Sequence, residues 1–172
     1  MIHAVLLHEQ PQTACEIGCA MGFSTSAFWE ALEVMPGINR VDLIDPFLTQ
    51  SVVKHSTDQR IKFHRIPSQS FKGTPEMWMI DGDHGFGAKL DYDNAIRAKA
   101  KIIIIHDSNP ESSAGRQNWG AVGISEKLKL DSTIWFEDKL KRDNEMTDRG
   151  LVIGFFYEPS ADTIESLQKL AI

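Results

Sequence analysis

The sequence has few cysteines, no excess of positive charge and no long hydrophobic run. Its only two cysteines, Cys15 and Cys19, exclude a disulfide scaffold, and their spacing is not a zinc signature. A net charge of −6 gives no electrostatic support for binding nucleic acid. No apolar stretch is long enough to span a membrane, and the N-terminus lacks the basic region and apolar run of a signal peptide. We therefore expect a cytoplasmic protein without nucleic-acid or membrane partners.

What is present is the composition of an ordinary globular protein, with 42% hydrophobic and 24% charged residues. At 172 residues the chain is expected to form a single domain, residues 1–172, with a substantial core. Isoleucine and valine crowd several short apolar runs, as buried parallel strands require. The predicted strands are residues 13–17, 40–44, 61–66, 77–80 and 101–105.

Helical spacing of apolar residues predicts three helices between and after these strands. They are residues 24–35, with Phe28, Leu32 and Met35 inward, residues 87–99, with Leu90, Ala95 and Ile96 inward, and residues 159–170. Two further apolar runs, residues 133–136 and 150–157, predict an antiparallel hairpin with a long connection. Strand–helix alternation followed by a hairpin predicts an α/β domain with a mostly parallel sheet.

The first strand runs into the pattern Glu16-x-Gly18-x-x-x-Gly22, which opens a helix. Gly18 allows a tight turn and a close ligand, and Gly22 lets the helix start near the sheet. Dinucleotide-binding loops instead carry G-x-G-x-x-G, whose amides face a pyrophosphate. Here a glutamate takes the first glycine position, and it would repel a pyrophosphate but favour a cationic sulfonium with an α-amino group. The pattern favours a cationic cofactor over a nicotinamide dinucleotide, with a simple glycine turn as the alternative.

Polar residues also follow the second and third predicted strands. Asp45 stands where an acid can accept hydrogen bonds from both hydroxyls of a ribose, although Asp-Pro turns are common in any protein. Ser68 and Gln69 stand where they could bond an adenine edge or cap a turn. These positions indicate a nucleoside without choosing between nicotinamide and S-adenosylmethionine cofactors.

Four segments, EIGCAMGFST, VDLIDPF, MWMIDGDHGFGAKLDYDNA and KIIIIHDSN, occur in an order that resembles the class I S-adenosylmethionine-dependent methyltransferases. IDGDH followed by an aromatic residue and Asp91 looks like the branch grouped as methyltransferase family 24. The resemblance covers residues 13–109 and, more loosely, 150–156. It implies a Rossmann-like, three-layer α/β/α fold with a seven-stranded sheet and an antiparallel last strand. The residues expected to contact S-adenosylmethionine are Glu16, Gly18, Gly22, Asp45, Ser68 and Asp81.

Acids and histidines follow the fourth and fifth predicted strands, at Asp81, Asp83, His84, His106 and Asp107. Converging acids repel one another unless something compensates them, and a divalent cation is the simplest compensation. Oxygen ligands suit magnesium or calcium, whereas an added imidazole shifts the preference towards manganese, iron or zinc. The arrangement resembles metal-dependent O-methyltransferases, which implies Asp81, His106 and Asp107 as ligands. Those enzymes usually have an acid at the position of His106, so the identity of the metal stays open.

The resemblance implies a transferase that methylates a hydroxyl of a small molecule or sugar, with possible metal assistance. The acceptor oxygen attacks the sulfonium methyl in line, and a base removes its proton. The candidate catalytic residues are Asp81, Asp83 and His84, with Asp83 or His84 as the base, although His84 is equally compatible with a structural role. Trp78 is expected to pack in the core, and Trp119 is expected to pack, with a place in the lining of a substrate cavity as its alternative.

Two alternatives remain from other classes of protein. One is a non-catalytic or truncated cofactor-binding domain that acts through a partner, and the other is a nicotinamide oxidoreductase, which the Glu16 loop disfavours. About a dozen residues precede the first predicted strand, whereas methyltransferases often cover their substrate with an N-terminal helical segment. The acceptor site is therefore expected to be an open cleft or to be completed by a homodimer.

Overall fold

Seven strands form one sheet in the computed structural model, which describes residues 1–110, 119–138 and 150–170. The strands are β1 (Thr13–Ile17), β2 (Arg40–Ile44), β3 (Ile61–His64), β4 (Met77–Ile80), β5 (Ile102–His106), β6 (Ile134–Asp138) and β7 (Leu151–Phe155). Their order is β3-β2-β1-β4-β5-β7-β6, and β7 is the one strand of this sheet that runs opposite to the other six. The predicted mostly parallel sheet and its terminal hairpin are confirmed.

Helices connect and flank these strands. They are α1 (Ile2–Glu9), α2 (Thr25–Val34), α3 (Gln50–His55), α4 (Phe86–Arg97), α5 (Trp119–Asp131) and α6 (Ala161–Leu170), with a short 3-10 turn at Ser68–Ser70. The three predicted helices are confirmed as α2, α4 and α6, with small differences at their ends. The sequence did not predict α1, α3 or α5, because α1 is apolar nearly all round, α3 is only six residues long and α5 contains two glycines. No described helix combines the length and the apolar character needed to cross a membrane.

Alternate residues of the central strands face two apolar layers, one on each side of the sheet. In β4, Met77 and Met79 belong to the layer that includes residues of α1, α2 and α6. Trp78 and Ile80 belong to the opposite layer, which includes residues of α4 and α5. The three-layer arrangement and the buried position of Trp78 are therefore confirmed.

The inward face of α4 differs from the predicted one. Ile96 is 38% exposed, whereas the buried residues of the helix include Asp91, Tyr92 and Ala95. Tyr92 donates its hydroxyl to Asp131 at the end of α5, over 2.8 Å. The prediction for Ile96 was wrong because an acid, Asp91, takes a core position on the buried stripe and displaces the apparent apolar face.

Candidate functional site

A cleft of about 390 Å³ opens beyond the carboxyl ends of β1, β2 and β4. β1 pairs with β2 on one side and with β4 on the other, so the strand order reverses at β1. Ligands of open parallel sheets bind at such a reversal. The lining includes Gly18, Asp45, Ser68, Asp81 and Asp83 among the predicted site residues.

A larger cavity of about 710 Å³ lies beside the amino ends of β4 and β5. Its acids already have partners: Glu76 accepts from Lys101 over 2.6 Å, and Glu9 accepts from Tyr157 over 2.5 Å. In open parallel sheets the ligand site lies beyond the carboxyl ends of the strands, whereas this cavity lies beside their amino ends. The chemistry of this chain is therefore to be sought in the smaller cleft.

Two glycines shape the loop that follows β1. Gly18 has a φ of 84°, and a Cβ there would lie 2.3 Å from the carbonyl oxygen of Asp81. Gly22 has a φ of 88°, and its Cβ would lie 3.1 Å from side-chain atoms of Trp29 and Val52. Gly18 thus brings the loop against the end of β4, whereas Gly22 is not among the residues that line the cleft.

Asp45 holds the same loop from the side of β2. Its Oδ2 accepts hydrogen bonds from the backbone amides of Cys19 and Ala20, each over 3.1 Å, and its Oδ1 accepts from the amide of Phe47 over 2.7 Å. A carboxylate offers about four acceptor positions, so Asp45 keeps one for a ligand. The loop amides that would face a pyrophosphate in a dinucleotide-binding fold are thus directed to a carboxylate.

Glu16 lies behind this loop and not on the lining of the cleft. Its side chain is fully buried and accepts hydrogen bonds from the hydroxyls of Ser24 and Thr25, the latter over 2.6 Å. Burial raises the pKa of Glu16 to about 7, against the lowering effect of those two hydroxyls. In the structure Glu16 contacts the residues that begin α2, and its contact with a cofactor stays a prediction.

The buried glutamate should make stability depend on pH. Because the folded pKa of about 7 exceeds the ordinary 4.5, the folded state holds the proton more tightly. The contribution of Glu16 to stability is therefore complete below pH 4.5 and is lost as the pH rises to about 7. The free energy of unfolding of the wild-type chain should fall by about 3 kcal/mol over this pH range because of Glu16, and Glu16→Gln should abolish that fall. Urea unfolding at several pH values between 4 and 8 measures it.

The matched control is Glu30→Gln, which changes an exposed glutamate on the same helix α2. It should keep the pH profile of the wild-type protein. A Glu16→Gln profile that overlays the wild-type profile would show that the buried carboxyl does not set the pH dependence.

Asp81, His84, His106 and Asp107 converge at the ends of β4 and β5, and we call them the acid–histidine group. β4 and β5 are parallel neighbours with Ile80 opposite Ile105, so Asp81 and His106 follow them at adjacent positions of the sheet edge. The Nδ1 of His106 lies 2.9 Å from Oδ1 of Asp81 and 3.4 Å from Oδ1 of Asp107. His84 places its Nδ1 3.2 Å from Oδ2 of Asp107 and its Nε2 3.4 Å from Oδ1 of Asp81.

The two histidines compensate the charge of the two acids. Burial lowers the pKa of His106, but Asp107 and Asp81 outweigh it and raise that pKa to about 10. Contact with Asp81 raises the pKa of His84 against the effect of burial, and Asp107 adds to the rise. Burial raises the pKa of Asp81, but the histidines lower it below its ordinary value. The two histidines thus compensate these acids in addition to the divalent cation that the sequence suggested as the simplest compensation, and the metal stays a prediction.

The acid–histidine group also has the donors that a metal ion needs. One ligand atom from each of Asp81, His84 and Asp107 lies within 4.8 Å of the others. Within the described residues, neither Nε2 of His84 nor Nδ1 of His106 meets a partner with full hydrogen-bond geometry. This mixed oxygen and nitrogen set fits a transition-metal ion better than magnesium. This group of ligand atoms includes Asp81 and Asp107 of the predicted set, with His84 and without the predicted His106. The position of His84 three residues after Asp81 was the signal for it, and the metal site stays a prediction.

The side chain of Asp83 caps the start of α4. Its carboxylate accepts hydrogen bonds from the backbone amides of Gly85 and Gly87, over 2.9 and 3.1 Å. Such contacts satisfy the free amides of a first helical turn. The side chain also borders the cleft, and its role as a base stays a prediction.

The start of α5 packs against the loop that carries His84. The carbonyl of His84 accepts from the amide of Ala121 over 3.0 Å, and a Cβ at Gly120 would lie 1.9 Å from the carbonyl oxygen of Gly85. Trp119 is 63% exposed, so its predicted packing role was wrong. Phe86 is 62% exposed and follows Gly85 directly. The tight contact at Gly120 places two exposed aromatic side chains next to this loop.

No protein-family profile matches this sequence, and no curated protein matches it. Solved structures do match its fold. The O-methyltransferase TomG from Streptomyces achromogenes, in complex with S-adenosylmethionine, has a TM-score of 0.61 at 15% identity, over 90% of this chain and 77% of that one. An O-methyltransferase from Bacillus cereus, in complex with S-adenosylhomocysteine, has a TM-score of 0.63 at 12% identity, over 90% of this chain and 78% of that one.

Spermidine synthase from Thermotoga maritima also has a TM-score of 0.63, at 13% identity, over 99% of this chain and 62% of that one. The predicted Rossmann-like methyltransferase fold is confirmed by these similarities. The assignment to family 24 stays a prediction. Because spermidine synthase, which is not named as a methyltransferase, shares this fold, the activity of this chain has to be argued from its site.

Proposed function

We propose that this chain, which has the class I methyltransferase fold, is an S-adenosylmethionine-dependent methyltransferase that acts on a hydroxyl of a small molecule or sugar. The observation that carries the proposal is the set of contacts of Asp45 with the amides of Cys19 and Ala20. These contacts take the amides that a dinucleotide would need and leave the cleft to a nucleoside without a pyrophosphate. The similarity to O-methyltransferases in complex with S-adenosylmethionine or S-adenosylhomocysteine supports the same cofactor.

Each wall of the cleft then has a role toward the cofactor. Gly18 leaves room for the ligand, since it has no side chain where the loop meets Asp81. Asp45 offers its remaining acceptor position to a ribose hydroxyl. Ser68 borders the cleft after β3, and this position supports a role at the edge of the base. Asp81 belongs both to the cleft and to the acid–histidine group, and so joins the cofactor to the reacting centre.

S-Adenosylmethionine supplies a methyl group on a cationic sulphur, and an acceptor oxygen displaces the sulphur as the new C–O bond forms. The residues of this chain hold the two reactants in line and receive the hydroxyl proton. Asp83 or His84 is the proposed proton acceptor, because both lie on the loop between β4 and α4. His84 can take this role only when it is neutral and does not bind a metal ion. The exposed rings of Phe86 and Trp119 beside this loop suit an acceptor with an apolar face.

The decisive experiment is calorimetric titration of the purified chain with S-adenosylhomocysteine and, separately, with NAD. We expect binding of the first and none of the second. If neither compound binds, the proposed function fails. Incubation with S-adenosylmethionine and a panel of sugar and ring-bearing alcohols then measures methyl transfer. Cofactor binding without transfer to any member of the panel would favour the alternative of a cofactor-binding domain that acts through a partner.

We also propose that the acid–histidine group holds a divalent metal ion through Asp81, Asp107 and a histidine, with His84 joining the predicted His106. A bound ion there would lower the pKa of the acceptor hydroxyl. The ligand atoms within 4.8 Å support this proposal, while the positive charge of the histidines has to be given up for metal to bind.

Manganese should therefore raise the melting temperature of the chain, and the rise should disappear in Asp81→Ala. A thermal-shift assay with manganese, magnesium and zinc, each with and without a chelator, measures the effect. Asp93→Ala removes a carboxylate on α4 that pairs with Lys89 and serves as the matched control, which should retain the full shift. If none of the three metals stabilises the wild-type chain, the metal proposal is wrong.

A further inference from the structure

The larger cavity of about 710 Å³, beside the amino ends of β4 and β5, has no part in the proposed reaction. Its volume falls within the range of about 300–1,000 Å³ that is usual for sites of small molecules. The cleft proposed for the cofactor lies beyond the opposite end of β4. A molecule bound in the larger cavity would therefore leave the cleft free.

Apolar side chains form much of the wall of this cavity. Ala100 and Ile102 line it as buried residues, and Phe156 lines it as a partly buried one. Ile96, the exposed isoleucine near the end of α4, lines it as well. Sites of small molecules combine such apolar walls with a few polar groups that fix the orientation of the ligand. The wall thus suits a ligand with an apolar body, and its charged residues decide which polar group that ligand carries.

Both acids of the wall already have partners within the chain. Glu76 accepts hydrogen bonds from Nζ of Lys101 over 2.6 Å and from the backbone amide of Gln12 over 2.8 Å. Glu9 accepts from the hydroxyl of Tyr157 over 2.5 Å. The chain itself therefore supplies these acids with donors, and the ammonium of Lys101 is taken by Glu76.

Lys99 differs from these residues. Among the charged side chains of the wall that the structure describes, it is the one without an ion pair or a hydrogen-bonded partner. It follows the C-terminus of α4 with a φ of 58°, and its amide donates to the carbonyl of Ile96 over 3.0 Å. Glycine is the usual residue at this left-handed position of a helix end, because a side chain there is strained. The chain thus carries an unpaired lysine where glycine would fit the backbone better.

We propose that this cavity is a second binding site, which takes a small organic anion with an apolar body, such as an aromatic carboxylate. The ammonium of Lys99 pairs with the anionic group, and Ile96, Ile102 and Phe156 cover the apolar body. The ligand supplies the partner that Lys99 lacks within the described chain, and an ion pair of this kind gives the stronger class of hydrogen bond. The inference does not rest on the proposed function, because it concerns the other end of the sheet.

Titration with 8-anilinonaphthalene-1-sulfonate, an anionic aromatic dye whose fluorescence rises in apolar surroundings, tests the proposal. Saturating S-adenosylhomocysteine is present, so that the cleft is filled. We expect the wild-type chain to bind the dye and Lys99→Gly to weaken that binding at least about tenfold, because the ammonium is removed. The variant should fold, since glycine adopts a φ of 58° without strain.

Three comparisons distinguish the cavity from other apolar surface. Lys99→Arg keeps the positive charge and should bind the dye within about threefold of the wild-type chain. The matched control Lys54→Ala removes an exposed lysine of α3 that has no ion pair among the described residues and does not line the cavity, and it should bind as the wild-type chain does. N-Phenyl-1-naphthylamine lacks the sulfonate, so its binding should be equal in the wild-type chain and Lys99→Gly.

Equal affinity of the wild-type chain and Lys99→Gly for the dye overturns the proposal, as does a wild-type chain that binds no dye when the cleft is filled. Equal losses in Lys99→Gly and Lys54→Ala also overturn it, because they would report the net charge of the chain and not the cavity. If S-adenosylhomocysteine itself does not bind, the proposed function fails, whereas the comparison of these two lysine variants still decides whether the cavity is a site for an anion.

Discussion

Gly18→Ala is expected to abolish binding of S-adenosylhomocysteine and to lower the free energy of unfolding by about 2–4 kcal/mol. A Cβ at this position would lie 2.3 Å from the carbonyl oxygen of Asp81 and 2.6 Å from the Cα of Gly82. These neighbours are backbone atoms, which cannot rotate away as a side chain does. The φ of 84° adds strain for any residue other than glycine. Urea unfolding and calorimetric titration measure the two effects.

Gly123→Ala is the matched control. A Cβ at Gly123 would meet nothing within 4 Å, and the residue lies inside α5. The same substitution should there raise stability by about 0.5–1 kcal/mol, because alanine favours the helix, and it should leave binding unchanged. Equal effects of the two substitutions would contradict the close approach of the loop to β4.

Asp45→Ala is expected to weaken binding of S-adenosylhomocysteine at least about a hundredfold and to cost about 2–4 kcal/mol of stability. The substitution leaves the amides of Cys19, Ala20 and Phe47 without their acceptor. It also removes the proposed partner of the ribose. Calorimetric titration and urea unfolding separate these consequences.

Asp45→Asn refines the test because it keeps the shape of the side chain. An asparagine has one oxygen to offer, and its amide group would face the loop amides donor against donor. Stability should therefore fall between those of the wild-type chain and Asp45→Ala. A variant that loses stability but keeps its affinity would show that Asp45 supports the loop without contacting the ligand.

The sheet could be predicted well because strands buried on both faces leave a direct mark in the sequence. The predicted bounds of β1, β2 and β4 agree with the structure. The helices were less predictable, since their inward faces depend on tertiary contacts. α4 illustrates this, because Asp91 lies in the core and Ile96 is 38% exposed, the reverse of what their polarity indicates.

The site could be predicted as a set of residues but not as a set of contacts. Strand ends identified Asp45, Asp81 and Asp107, because parallel strands bring their carboxyl ends to one edge of the sheet. The direction of each side chain was not accessible in the same way. Glu16 points back to the start of α2, and His84 turns toward Asp107, because local turn geometry and helix starts decide these directions.

The contact between Gly18 and Asp81 divides the site into two separable halves. Under the proposed function, the half built on β1 and β2 would hold the cofactor, and the half built on the loops after β4 and β5 would hold the acceptor. Gly120 packs the start of α5, with Trp119, against the second half. The halves meet at Asp81, whose backbone touches one and whose side chain belongs to the other. If the proposed function holds, residues around Phe86 and Trp119 could be exchanged to change the acceptor while the side of the cleft built on β1 and β2 stays intact.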